Sequence, residues 1–394
     1  MLALRLARGA HPLVQIRRLA VAAAAAGTGF LLLCALGYAM GHPGATQSAV
    51  LRLAWCAVPL AATVHLAVAV ARTDPGTRPR PGLSALGLGP GRLALLAAAT
   101  TAMACTLGSL LALLFFLHLR GDLTGLPFDG AAADLLGGGQ SLPLAAALTL
   151  LALTPVIASC CAALVLRPRT SRQSSQPGHR DEENPRQPTP PAPAPTGLPW
   201  GVALIAVGLA VETYAATADA TADSLPMPGR MAGIPVGVLA GWAVTALGLA
   251  LAGPGLTALC GRLLATLRPG AARLLAGRVL REESRRIGRP LGVVCAVAAG
   301  VIAAAVLYGA RQPQVGPLTV LGAVLVVGCP LLTLATAAEE SRQARAHTTA
   351  ALVRLGAPRS LLRGALALRA GALFAVFAPL TLAVAALAAL PLAR

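Results

Sequence analysis

Two ionisable residues, His65 and Glu212, lie within long apolar runs, where a polar group is by default a candidate for handling a proton, ion or substrate. The plainer alternative is that Glu212 reaches the outer surface and that His65 is neutral and hydrogen-bonded to a neighbouring helix. Little else could build an active site. His-Glu-x-x-His does not occur, and no two carboxylates share an apolar run, so zinc-protease and paired-acid chemistries lack their residues. The eight cysteines (34, 56, 105, 160, 161, 260, 295 and 329) show no metal-ligand spacing and read as small apolar fillers. A P-loop needs a Lys to neutralise phosphate charge, and the 32 basic residues are all Arg. Gly87, Gly89 and Gly91 follow no strand pattern, which excludes a dinucleotide fingerprint. His-Arg-Asp at 179–181 has the letters of a kinase catalytic loop without its surroundings. The chain is expected not to be an enzyme, and to hold neither cofactor nor metal.

A different kind of chemistry is offered by "ALVRLGAPRSLLRG", residues 351–364, an Arg-rich interruption between two apolar runs. From Glu339 and Glu340 through Arg342, Arg345 and His347 the chain is too polar for hydrocarbon and is expected to leave the bilayer. Ala351, Leu352 and Leu355 form a short apolar helix face. Gly356 is placed to stop that helix in the left-handed conformation, and Pro358 prevents its continuation. Ser360 is expected to cap the next helix. The product is a surface helix, a tight bend and re-entry: a docking lever attached to a membrane span.

The elements that position these residues follow from composition. The 394 residues are 56% hydrophobic and 12% charged, with a mean hydropathy of +0.72, outside the range of soluble domains. A bilayer core of ~30 Å needs ~20 apolar residues as helix. Such runs fall at roughly 19–40, 49–71, 93–118, 143–166, 198–217, 233–261, 290–309, 317–337 and 365–392. An all-α polytopic membrane protein of nine spans is expected. Aromatic residues are only 3% and Gly numbers 42, so helices should approach through small faces. If the N-terminus is cytoplasmic, only Arg52, Arg120, Arg230, Arg311 and Arg394 of the 32 Arg fall outside, leaving 27 on or beside inner segments. The net charge of +18 is thus topological and lipid-facing, not a nucleic-acid surface. Arg5, Arg8, Arg17 and Arg18 before the first run suit an uncleaved first helix.

The chain also repeats. Arg5 and Arg8 in "LALRLARG" match Arg278 and Arg281 in "LLAGRVLREESRRIGRP" at an offset of 273 residues, and Leu83, Leu86 and Gly87 match Leu352, Leu355 and Gly356 at an offset of 269. The expected organisation is a first unit of four spans (1–166), a disordered cytoplasmic linker rich in Pro, Ser and charge (167–197), two connecting spans (198–265) and a second unit of three spans (266–394). Each unit would begin with an amphipathic elbow helix and carry a coupling helix between its second and third spans.

"EESRQARAHTTAALVRLGAPRSLLRGALALRAG" resembles the coupling segment of FtsX/MacB-type ABC transporter permeases, and "LLAGRVLREESRRIGRP" resembles their basic elbow helix. The likeness is clearest over 274–394 and weaker over 1–118. It implies a plasma-membrane permease subunit with a cytoplasmic N-terminus, working with a separate ABC ATPase that alone binds ATP. Leu352, Arg354, Leu355, Gly356, Ala357 and Arg359, with Leu86 and Gly87 in the first unit, would contact that ATPase. Such permeases export substrates or extract them from the membrane, and the family also dimerises, which leaves a homodimer open. The large outer domain usual in the family is not expected between the first two spans of either unit, and nine spans are expected where the resemblance implies ten, which keeps open two alternatives: a non-transporting membrane regulator or scaffold that binds the ATPase, and a secondary transporter. "DLLGGGQSL" (134–142), superficially like an ABC signature, is expected to be a flexible turn of an outer loop.

Overall fold

A computed structural model describes residues 12–74, 90–123, 129–167, 197–217, 224–225, 234–266, 270–309 and 316–390. Apart from a two-residue antiparallel pair, β1 (Ser224–Leu225) against β2 (Ile234–Pro235), every regular element among them is a helix. They are α1 (Pro12–Gly41), α2 (Thr46–Trp55), α3 (Ala57–Thr73), α4 (Pro90–Arg120), α5 (Ala133–Leu136), α6 (Leu144–Leu166), α7 (Gly197–Thr217), α8 (Val236–Thr266), α9 (Ala271–Gly309), α10 (Pro317–Arg354) and α11 (Arg359–Ala389). Nine stretches among the described residues are long and apolar enough to cross a membrane, at the nine expected places. The chain is an all-α polytopic membrane protein. Trp200 and Tyr214, near opposite ends of α7, are exposed, the position of interfacial aromatic anchors.

The second span is broken. Pro59 has no N–H to offer the carbonyl of Trp55, and the helix splits at Cys56 into α2 and α3. Where the C-terminal end of α4 meets the N-terminal end of α6, Arg120 is 2% exposed and donates to the carbonyls of Gly137 and Gln140. Gly137 and Gly139 take positive φ to present that turn, and Leu136 plugs the core of Leu33, Ala112 and Phe116. The expected flexible turn at 134–142 is therefore an anchored one, because a buried guanidinium needs the carbonyls that the glycine conformations supply.

Helices α7, α8 and α9 form a closely packed row. α8 shows α7 a small-residue face at Gly241, Gly248 and Ala252, and shows α9 another at Gly253 and Gly261. A Cβ on Gly201 would come 2.5 Å from the Ala252 nitrogen, and one on Gly277 would come 2.5 Å from the Gly261 carbonyl oxygen. Backbones this close gain dispersion contacts that larger side chains would prevent, the main attraction available between helices in lipid.

Packing does not follow sequence order. α1 packs on α4 and α3, and α9 packs on α11 and α10, the same pairing in each half. The second span of each half, α3 and α10, then pack on one another. Leu325 and Cys329 of α10 are buried with Val21, Leu32, Leu66 and Cys105 in the core of the first half. The second half keeps its own core of Leu249, Ala299, Val384 and Ala385 from α8, α9 and α11. α10 thus belongs by sequence to one half and by packing to both.

The expected elbow and coupling segments of the second half are helical, but neither is a separate helix; those of the first half, at 2–9 and 83–89, lie outside the described residues. The elbow runs without a break into span seven as the 39-residue α9, and span eight runs to Arg354 as the 38-residue α10. At ~1.5 Å per residue each is roughly 57–59 Å long, about twice the hydrocarbon thickness. No Gly-Pro break lies near Glu339, so nothing ends the helix where the polar sequence begins. The polar end of α9 lies along α8, with Gly277 against Gly261 and Gly288 against Pro254, and meets the polar end of α10, the stalk, where Arg345 pairs with Glu283.

Candidate functional site

The tip of the stalk is built by its helix stop. Gly356 sits at φ +89°, its N–H donates to the Val353 carbonyl and the Ala357 N–H donates to the Leu352 carbonyl, each at 3.0 Å. This double bond pair closes α10 with glycine in the left-handed conformation, as the sequence requires. Pro358, not Ser360, is the N-cap of α11, and its carbonyl accepts from Leu361 at 3.1 Å. An extended Pro358 already turns the chain, so no hydroxyl cap is needed. Val353, Arg354, Leu355 and Gly356 are exposed, Leu352 and Ala357 are half-buried, and Leu355 is 84% exposed. The exposed apolar Leu355 follows the exposed Arg354 at the bend. Arg359 opens α11 at the same bend. Leu86 and Gly87, their expected counterparts, lie outside the described residues. A Cβ at Gly356 would meet open space, so Gly356→Ala is expected to cost about 1–2 kcal/mol from left-handed strain alone. Thermal unfolding of the variant in detergent checks this.

Below the tip lies a charge cluster. Arg345 Nε stands 2.7 Å from Glu283 Oε1 and donates to the Ser341 carbonyl at 3.1 Å, and Arg345 Nη2 bonds Ser341 Oγ at 2.9 Å. Arg369 Nη2 approaches Glu283 Oε2 at 3.7 Å. Glu283 is 7% exposed. It comes from α9, Arg345 from α10 and Arg369 from α11, so one carboxylate joins three helices. Sequence reasoning missed Glu283, although its helical spacing contains a signal. Ala276, Leu280, Glu283 and Ser284 fall on one stripe, and all are buried, so a charge there must be paired. The corresponding junction of the first half, α1 to the end of α3, holds Arg18 and Asp74 at 2.6 Å, with acid and base exchanged between the two helices.

Glu212 does not reach the surface: it is 0% exposed, in the α7–α8 interface. Its Oε1 accepts from Trp242 Nε1 at 2.6 Å, while Oε2 and the nearby Thr245 hydroxyl are buried without a hydrogen-bond partner. Gly208 and Gly241 allow this approach, since a Cβ on Gly241 would lie 3.0 Å from the Glu212 nitrogen. Trp242, also missed, is what fixes the carboxyl. Glu212→Leu should leave the indole N–H unpaired and cost about 1–3 kcal/mol, whereas Glu212→Gln keeps an acceptor and should cost less than half of that. Comparing the unfolding midpoints of the two variants tests the assignment.

His65 lies on α3, which packs on α1, α6 and α10, while α7 packs chiefly on α8, so the fold does not bring His65 and Glu212 together. His65 Nδ1 is buried without a hydrogen-bond partner. Among the described residues no group of His, Cys, Asp or Glu could hold a metal ion, and all eight cysteines are free thiols. No protein-family model, curated protein or solved structure matches this chain.

Proposed function

We propose that this chain is the membrane subunit of an ABC transporter, and that a separate ATPase subunit docks on the stalk tip. The observation that carries the proposal is Leu355: 84% exposed, next to Arg354 and a glycine-closed helix stop, at the end of a helix that runs unbroken through a span. A docking partner gains apolar burial from Leu355 and charge pairing from the Arg residues. Its motion is delivered to the bilayer along α10, which has no flexible joint between tip and span. Leu352, Arg354, Leu355, Gly356, Ala357 and Arg359 form the contact, and Leu86 and Gly87 would supply the first half's equivalent. ATP is bound by the partner alone. The N-terminus and stalk face the cytoplasm, and the chain sits in the plasma membrane.

The turn joining α1 to α2, 42–45, is short and bears no outer domain. That observation favours a second reading, a membrane regulator that holds the ATPase without moving a substrate. Affinity purification of the full chain from its native membrane, followed by an ATP-hydrolysis assay, tests the first point. A P-loop ATPase is expected to co-purify, and its absence overturns both readings. Substrate-dependent ATP turnover after reconstitution in vesicles separates transporter from regulator.

A further inference from the structure

α10 and α11 meet at the Gly356 bend but diverge from it. α11 packs on α9 and α8, whereas α10 packs most extensively on α3 and then on α9. α10 is the one described helix that packs substantially on both halves of the protein, and the α9–α10 interface is where it meets the second half. In that interface the described ion pairs include one set linking α9 to both arms of the bend, Arg345 and Arg369 on Glu283.

We propose that Glu283 is a latch and positioning residue. It holds both arms of the bend against α9, and its release lets the stalk end of α10 move with the first half relative to α9 and α11. Three features make the latch specific. The buried carboxylate faces two guanidinium groups and is the one acceptor that the pair share among the described residues, and removing it leaves two like charges facing one another. The exposed side of α9 carries Arg278, Arg281, Arg285 and Arg289, and a guanidinium offers no acceptor, so none of them can stand in for the carboxylate. The apolar part of α10 is seated in the first half's core, so the unbroken helix follows the first half, and the contact that its stalk end can give up is the one with α9 and α11. In the first half an ion pair of opposite sense, Arg18 with Asp74, likewise joins α1 to the end of α3. What release does to transport rests on the docking proposal, but the latch itself does not.

Hydrogen–deuterium exchange of the full chain in lipid nanodiscs tests it without any partner. In Glu283→Gln, exchange over 339–354 is expected to rise about tenfold or more, with peptides of α1, α4 and α6 unchanged, because a local opening exposes only the unit it releases. Unchanged exchange over 339–354 overturns the latch. A rise spread evenly over all helices also overturns it, as that would make Glu283 a general stability residue. If Glu283→Gln does not yield folded protein, Arg345→Gln, which leaves Glu283 facing Arg369, carries the same test with the same two outcomes. Since no ATPase is present, failure here leaves the docking proposal standing, and failure of co-purification leaves the latch standing.

Discussion

Leu355→Asp is expected to abolish stimulation of the proposed ATPase partner while leaving the chain folded and inserted. The side chain is 84% exposed, so its replacement removes almost no packing, and surface changes of this kind usually stay within about 0.5 kcal/mol. Docking is a different matter. A partner pocket that covers Leu355 would have to bury a carboxylate without a designed acceptor, and hot-spot losses of this type are typically about 2 kcal/mol or more, roughly thirtyfold in affinity. Titrating purified ATPase against the variant in nanodiscs, with ATP turnover as readout, measures it directly. Arg354→Glu should behave the same way by reversing the local charge. Gly356→Pro should also uncouple, since proline cannot adopt φ +89° and removes the N–H that bonds Val353. Wild-type stimulation by the Leu355 variant would show that the tip is not the docking surface.

The second large effect concerns the glycine row. Gly288→Leu should destroy the α8–α9 contact, because the new Cβ would stand 2.5 Å from Pro254 Cα and 2.9 Å from the Gly253 carbonyl carbon. Those neighbours are backbone, which cannot rotate away as a side chain can. Overpacking that side chains can relieve costs about 1–3 kcal/mol, so about 3 kcal/mol or more is expected here. Gly248→Val, with its Cβ 2.7 Å from the Ile205 nitrogen, should do the same to α7–α8. Gly371→Leu is the control, since nothing lies within 4 Å of its added Cβ. Size-exclusion profiles after graded heating should show early loss of monodisperse protein for the first two variants and none for the third.

Much of this protein is readable along the chain, for a physical reason. Lipid demands continuous apolar helix, so each span declares itself in ~20 consecutive residues, and the nine positions agree. The helix stop at Gly356 is equally local, because φ and the missing Cβ are properties of one residue. The error at Ser360 is instructive: two neighbouring residues could each start α11, and backbone direction at Pro358 decided between them. The continuity of stalk and span was hidden because polarity, which ends a membrane crossing, does not end a helix.

What the sequence alone determined is everything dictated by neighbours and by the solvent: an all-α membrane protein with nine spans among the described residues, small-faced helices, and an Arg-flanked bend at 356. Only the tertiary structure decided which helices meet. Glu212 finding Trp242, Glu283 gathering Arg345 and Arg369, and α10 crossing into the first half's core each depend on residues from 30 to more than 250 positions apart. Such pairings are selected by the fit of faces and the need to neutralise a buried charge, and neither leaves a local mark in the chain.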